Sequence, residues 1–196
     1  VAGPARSGRS TALATLTAAW RDARPSGLVV TVAPRPAPAL AALADRLHDR
    51  HDAAAAAATL QGALARRACL LVVDDADLVD DHTGALAALV ATVAANPLTI
   101  AIAGRADSLR AAYGHWTSTV RRSRTGLLLA GCADLDGDVL GVVLPRRHPV
   151  RARPGLAWMA QGGGLTLVQV AGSAPDPAVQ PVGPTAAAEW PSAAAG

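Results

Sequence analysis

The sequence predicts an α/β fold, a mostly parallel sheet flanked by helices. Two patterns carry that expectation. Short apolar runs rich in Val and Leu, the kind buried on both faces of a sheet, alternate with stretches whose leucines recur at helical spacing. A glycine-rich turn also stands directly before the first helical stretch, and a pair of aspartates closes one of the apolar runs. Strands alternating with helices place the strands parallel in one sheet with helices on both faces.

The elements follow in order. A first helix starts at Gly8-Arg9-Ser10, because Leu13, Leu16 and Trp20 share one helical face, and Pro25-Ser26-Gly27 breaks it. Leu28-Val29-Val30-Thr31-Val32 is a buried strand closed by the Pro34-Arg35-Pro36 turn. Leu40, Leu43 and Leu47 predict a second helix, with His48 and His51 on its polar face. The alanine run from Ala53 to Ala58, with Leu60 and Leu64, predicts a third. Cys69-Leu70-Leu71-Val72-Val73 is a strand buried on both faces and ending in Asp74-Asp75. Leu86, Leu89, Val90 and Val93 mark a helix stopped near Asn96-Pro97, and Leu98 to Ala103 the next strand. Tyr113 to Arg122 reads as short helix and loop, and Gly126 to Leu129 as a fifth strand. Leu156 to Ala160 and Leu165 to Val170 flank Gly162-Gly163-Gly164 and predict a C-terminal β-hairpin. From Gly172 the chain is Pro/Ala-rich with little to bury, so a disordered tail over 172–196 is expected after a domain spanning 1–171.

Composition narrows the chemistry. Of 196 residues 51% are hydrophobic, but Ala dominates and Phe is absent, so Leu, Val and Ala must build the core. All 18 basic residues are Arg, which leaves no lysine for any catalytic role. A net charge of +3 gives little ground for a nucleic-acid partner. Cys69 and Cys132 make no disulfide framework, and Cys69 reads as a buried thiol of a reducing compartment. No apolar stretch approaches the ~18 residues of a membrane span. The chain opens at Val1-Ala2-Gly3 with no initiator Met and almost no room for a strand, the pattern of a fragment whose N-terminal strand is truncated.

Gly3-Pro4-Ala5-Arg6-Ser7-Gly8-Arg9-Ser10 fits the phosphate-loop pattern G-x-x-x-x-G-K-[ST] except that Arg9 replaces Lys. The pattern works because backbone N–H groups at a helix N-terminus line a nest for phosphate oxygens. Ser10, with Thr11 as its neighbour, supplies a hydroxyl for Mg²⁺. Arg9 keeps the charge, but its planar fork is not interchangeable with an ammonium. Downstream, Leu70 to Asp75 has the form of the strand that brings carboxylates to such a loop. Asp74 would hold Mg²⁺ through water, and Asp75 stands where a water-orienting base belongs. That base is usually Glu, and Asp is one methylene shorter.

Later segments carry a resemblance. Ala112-Tyr113-Gly114-His115-Trp116, Val120 to Leu129 and Asp136 to Arg147, together with the opening loop, look like the FtsK/SpoIIIE ATPase family. Within it the chain resembles the actinobacterial branch that includes the type VII secretion ATPase EccC, over about residues 1–171. The resemblance implies a RecA-like P-loop NTPase fold that binds ATP and Mg, sister ATPase domains on one polypeptide, and assembly into oligomers. It further implies a protein secretion substrate or DNA as cargo, and a cytoplasmic position held at the membrane by segments outside this chain. The family's fourth core strand ends in Gln-Arg; the matching pair here is Gly104-Arg105, which keeps an arginine able to reach a neighbouring nucleotide. Arg9, Asp75 and Gly104 depart from the family pattern in the same direction, toward a degenerate module with little hydrolysis. The competing functions are a regulatory or substrate-binding module in type VII-like secretion, a module of a DNA translocase, and an interaction scaffold that binds no nucleotide.

Other clusters read more plainly. Arg121-Arg122-Arg124 could hold phosphate but more simply forms a solvated basic loop, and Arg146-Arg147-His148 with Arg151 and Arg153 an exposed connector. Asp134-Leu135-Asp136-Gly137-Asp138 lacks the downstream Glu of a calcium loop and is a turn. Trp116 is a packing residue, and the histidines show no metal-ligand spacing.

Overall fold

The computed structural model describes residues 1–130, 135–146 and 153–171. The expected tail over 172–196 lies outside the described residues, as do Cys132, Asp134, Arg147, His148 and Arg151. The described chain runs α1 (Arg9–Ala23), β1 (Leu28–Val32), α2 (Pro38–Ala41), β2 (Arg46–His48), α3 (Ala53–Leu64), β3 (Cys69–Val73) and α4 (Ala85–Ala91). It continues through β4 (Leu98–Ile102), α5 (Ala106–Ala111), α6 (Thr117–Arg121), β5 (Gly126–Leu129), β6 (Leu156–Gln161) and β7 (Gly164–Gln169).

Four strands form a parallel sheet in the order β2-β1-β3-β4. Val32, Val73 and Ile102 stand side by side at its carboxyl edge. Every residue of β1 and β3 is buried, because alternate side chains feed two different cores. Leu28, Val30, Val32, Cys69, Leu71 and Val73 pack with α3 and α4, whereas Val29, Leu70 and Val72 pack with Leu13, Trp20 and Leu40 on the other face. This two-faced burial explains why both runs carry no polar alternation. At about 1.5–3 kcal/mol for each large side chain, it is the main stabilising term.

The hairpin β6–β7 is present, and β5 adds to it as a third antiparallel strand. Ala2 joins this sheet to the parallel one through bridges to Gly104 and Leu128. Its N–H donates to the Leu127 carbonyl at 2.8 Å, and its own carbonyl accepts from Leu129 N–H at 2.8 Å. The residue just before the glycine turn is therefore the seam between the two sheets, and it fixes where that turn emerges.

One expected element is corrected. Leu40, Leu43 and Leu47 do not share a helix: α2 opens on Pro38 and stops at Ala41, and Leu47 lies in β2, 56% exposed. The backbone bonds decide this. Asp45 N–H donates to Val29 O and Ala33 N–H to His48 O, so the segment adds an edge strand beside β1. His48 consequently ends a strand, and His51 sits in the turn before α3. The short α5 was not anticipated. Trp116 is buried and its Nε1 donates to Val79 O at 2.9 Å, consistent with a packing role. Among the described residues no helix is long and apolar enough to cross a membrane.

Candidate nucleotide-binding site

The glycine turn leaves the sheet seam at Ala2 and enters α1 without a capping side chain or an acidic residue in the first turn. The helix N-terminus therefore faces the turn with its positive end open. Gly3 is obligatory there, because a Cβ would stand 2.5 Å from Leu129 O and 2.7 Å from Ser7 Oγ. Gly8 adopts the left-handed region at φ 90°, and so does Arg6 at φ 62°, a conformation uncommon for a residue with a Cβ. These turns curl the loop into the concave path that phosphate binding requires.

β3 is the strand between β1 and β4, so its carboxyl end delivers Asp74 and Asp75 to the middle of the sheet edge, beside the loop. Ser10 Oγ donates to Asp74 Oδ2 at 2.6 Å, which brings together the hydroxyl and the carboxylate proposed for the metal. Asp75, buried and in the left-handed region at φ 44°, is held by two arginines. Arg9 Nη2 donates to its Oδ1 at 2.9 Å, and Arg35 Nη1 lies 3.4 Å from its Oδ2. The other arm of Arg9, Nη1, donates to the carbonyls of Gly3 (2.8 Å) and Pro4 (2.7 Å), tying the side chain back onto its own loop.

The donor set fits nucleotide and Mg²⁺. Ser7 Oγ and Arg9 Nε are buried without a hydrogen-bond partner, two orphaned groups at the place where phosphate oxygens would be accepted. Mg²⁺ takes only one or two protein oxygens in such sites, the rest coming from water and phosphate, so Ser10 and Asp74 suffice. Among the described residues no group of three or more His, Cys, Asp or Glu could build a separate metal site.

On the outer side of the loop lies a cavity of about 550 Å³ walled by Arg6, Thr11, Leu129, Leu156, Arg153 and Gln169. Its floor is apolar. Its rim is fixed by Arg153 Nε donating to Gln169 Oε1 at 2.8 Å and by Gln169 Nε2 donating to Pro154 O at 2.8 Å. Arg6, Ser7, Gly8 and Thr11 of the loop line this cavity, whereas Ser10, Asp74 and Asp75 do not.

The structure thus gathers Gly3, Pro4, Arg9, Ser10, Asp74 and Asp75 at one place, with Arg6, Ser7, Gly8 and Thr11 on the cavity side and Ala5 exposed in the loop. Arg105 stands apart from these contacts. It is exposed, and Asp107 binds its guanidinium through bonds of 3.1 and 2.6 Å. At Gly104 a Cβ would meet Asp77 Oδ1 at 2.8 Å and Leu109 side-chain carbons at 3.0 Å. A larger side chain there would have to displace the Asp77 carboxylate and the Leu109 side chain.

Three participants were not anticipated. Arg153 is exposed, as expected of the connector, but it also walls the cavity, and Gln169 braces it. Arg35 reaches Asp75 from the loop after β1; its place at the carboxyl end of a central strand was the available signal. In the basic loop, Arg121 Nη2 donates to Ala112 O at 3.4 Å and Arg124 packs on Gly141, contacts that are structural.

A glycine turn feeding an uncapped helix, beside a carboxylate-tipped central strand of a parallel sheet, gives the RecA-like P-loop NTPase fold that the sequence predicts. Solved structures agree on the fold. The cytoplasmic domain of the Thermomonospora curvata type VII secretion ATPase EccC matches 88% of this chain with a TM-score of 0.66 at 18% identity. ATPases 2 and 3 of the same EccC, solved in complex with a signal sequence peptide, match 88% of it at 0.64 and 18% identity. ATPases 2 and 3 of EssC from Geobacillus thermodenitrificans match 87% at 0.62 and 13% identity. The chain spans 23% of the first of these structures and 36% of the other two. No family model matches the chain, and no curated protein matches it in sequence.

Proposed function

We propose that this chain is a degenerate ATP-binding module of an FtsK/SpoIIIE-type secretion ATPase, which holds Mg·nucleotide but hydrolyses it poorly. Its phosphates would rest on the loop Gly3 to Thr11, with Mg²⁺ at Ser10 and Asp74, and its base and ribose in the cavity beneath Arg6 and Arg153. The observation that carries the reading is the state of Asp75: Arg9, itself largely buried and tied to the Gly3 and Pro4 carbonyls, holds its carboxylate at 2.9 Å. A carboxylate so neutralised is a poor acceptor for the proton of an attacking water, and Asp is already short for that task. Losing one transition-state group commonly costs about 10²–10³ in rate. Here the base, the loop lysine and the strand-end glutamine all depart from the pattern.

Such a module acts through contacts. It would regulate sister ATPase domains of one polypeptide or bind a protein secretion substrate, at the cytoplasmic side of a membrane reached through segments outside this chain. Multi-ATPase structures, one of them carrying a signal sequence peptide, support this choice of partners. Calorimetric titration with Mg·ATP, paired with phosphate-release kinetics, tests the reading. The expected result is saturable binding with turnover below about 0.01 s⁻¹, well under the ordinary enzymatic range of about 1–10³ s⁻¹. Turnover in that ordinary range would overturn it.

A further inference from the structure

We propose that Arg35 recognises the terminal phosphate and makes the site favour a nucleoside triphosphate over a diphosphate, an inference that rests on the nucleotide-binding reading above. Three observations carry it. First, the geometry gives a bound nucleotide a direction. The apolar cavity touches the loop at Arg6, Ser7, Gly8 and Thr11, whereas Arg9 and Ser10 of the same loop bond Asp75 and Asp74. A nucleotide whose base fills the cavity would therefore extend its phosphates along the loop toward the aspartates. Second, that end holds a cation other than Arg9. Arg35 Nη1 lies 3.4 Å from Asp75 Oδ2 while Arg9 takes Oδ1, so the carboxylate spans the two guanidinia. Third, the two arginines differ in freedom. Arg9 is 10% exposed and tied to Gly3 and Pro4, whereas Arg35 is 65% exposed, with the Asp75 contact as its ion pair.

A solvent-facing pair of that length contributes little and is readily exchanged. A phosphate with two negative charges and three acceptor oxygens is a stronger partner for a guanidinium than one shared carboxylate oxygen. Arg35 therefore trades Asp75 for the terminal phosphate when that phosphate is present and keeps Asp75 when it is absent. The loop carrying it, Pro34-Arg35-Pro36, is stiffened on both sides by proline, so the exchange needs side-chain rotation rather than loop rearrangement.

The test is calorimetric titration of the full chain and of Arg35→Ala and Arg35→Lys with Mg·ATP and, separately, Mg·ADP. Arg35→Ala should weaken ATP binding by about tenfold, the scale of one lost charge-assisted contact, and change ADP binding by less than about twofold. Arg35→Lys should recover part of the ATP affinity. Equal losses for both nucleotides would overturn the assignment, because they would report general charge rather than recognition of the last phosphate. Unchanged ATP binding in Arg35→Ala would overturn it too. A wild-type chain that binds neither nucleotide refutes the nucleotide-binding reading itself, which is distinguishable because the failure appears before any substitution is made. Arg35 is exposed, so its variants should keep the wild-type thermal midpoint; a large drop would contradict the weak pairing assumed here.

Discussion

Arg9 and Asp75 form a 2.9 Å ion pair with side chains only 10% and 11% exposed, joining the phosphate loop to the end of the central strand. Arg9 stands where the phosphate-loop pattern has Lys. Breaking one partner of a largely buried pair costs about 3 kcal/mol or more. Arg35 remains beside Asp75, so Arg9→Ala should cost about 3 kcal/mol, the low end of that scale. Denaturant unfolding checks it. Arg9→Lys should raise phosphate release by at least about tenfold, since an ammonium meets phosphate as a compact point charge. An unchanged rate would place the lesion at Asp75 or Gly104.

Ser10 and Asp74 meet at 2.6 Å where Mg²⁺ would be held. Ser10→Ala should remove most of the Mg²⁺ dependence of ATP binding, measured by comparing affinities in Mg²⁺ and in chelator. Because a hydrogen bond to a carboxylate is lost, the stability cost should be about 1.5–3 kcal/mol. A variant that retains the full Mg²⁺ effect would move the metal elsewhere.

Gly3 and Gly104 are fixed by crowding. Gly3→Ala places a methyl 2.5 Å from Leu129 O and should destabilise the fold by about 1–3 kcal/mol, the usual range for overpacking. Gly104→Gln, intended to restore the polar strand end, should destabilise the chain and leave phosphate release unimproved, because Asp77 and Leu109 occupy the space. A rise in turnover in that variant would show the space to be available.

Asp45 gives an acid-side signature. Burial pushes its carboxyl up, but the Val29 N–H and the Arg21 guanidinium outweigh this and hold it below its ordinary value. A carboxyl lowered on folding contributes stability that is fully present above its unfolded value of about 3.9 and is lost as pH falls through the folded value. Stability should therefore decline below about pH 4, and Asp45→Asn should flatten that decline. An identical acid limb in the variant would remove Asp45 from the account.

The sequence revealed most where burial dominates. β1 and β3 were legible to the residue, because a strand covered on both faces must be apolar throughout and Leu28–Val32 and Cys69–Val73 are interrupted only by Thr31. The loop and the aspartates were legible because their chemistry is local. β2 was not, since an edge strand with exposed Arg46 and Leu47 is set by backbone pairing, which leaves no side-chain pattern. Arg35, Arg153 and Gln169 reach the site only through tertiary approach, from positions no local spacing links to the loop.

The central claim is that the loop, the paired carboxylates and the flanking cavity form one pocket for a triphosphate. Amide hydrogen exchange with and without Mg·ATP tests it most directly. The account predicts added protection across Gly3 to Thr11, at Asp74 and Asp75, and along 153–156. Binding of ATP that protected other segments while leaving the loop amides unchanged would contradict it.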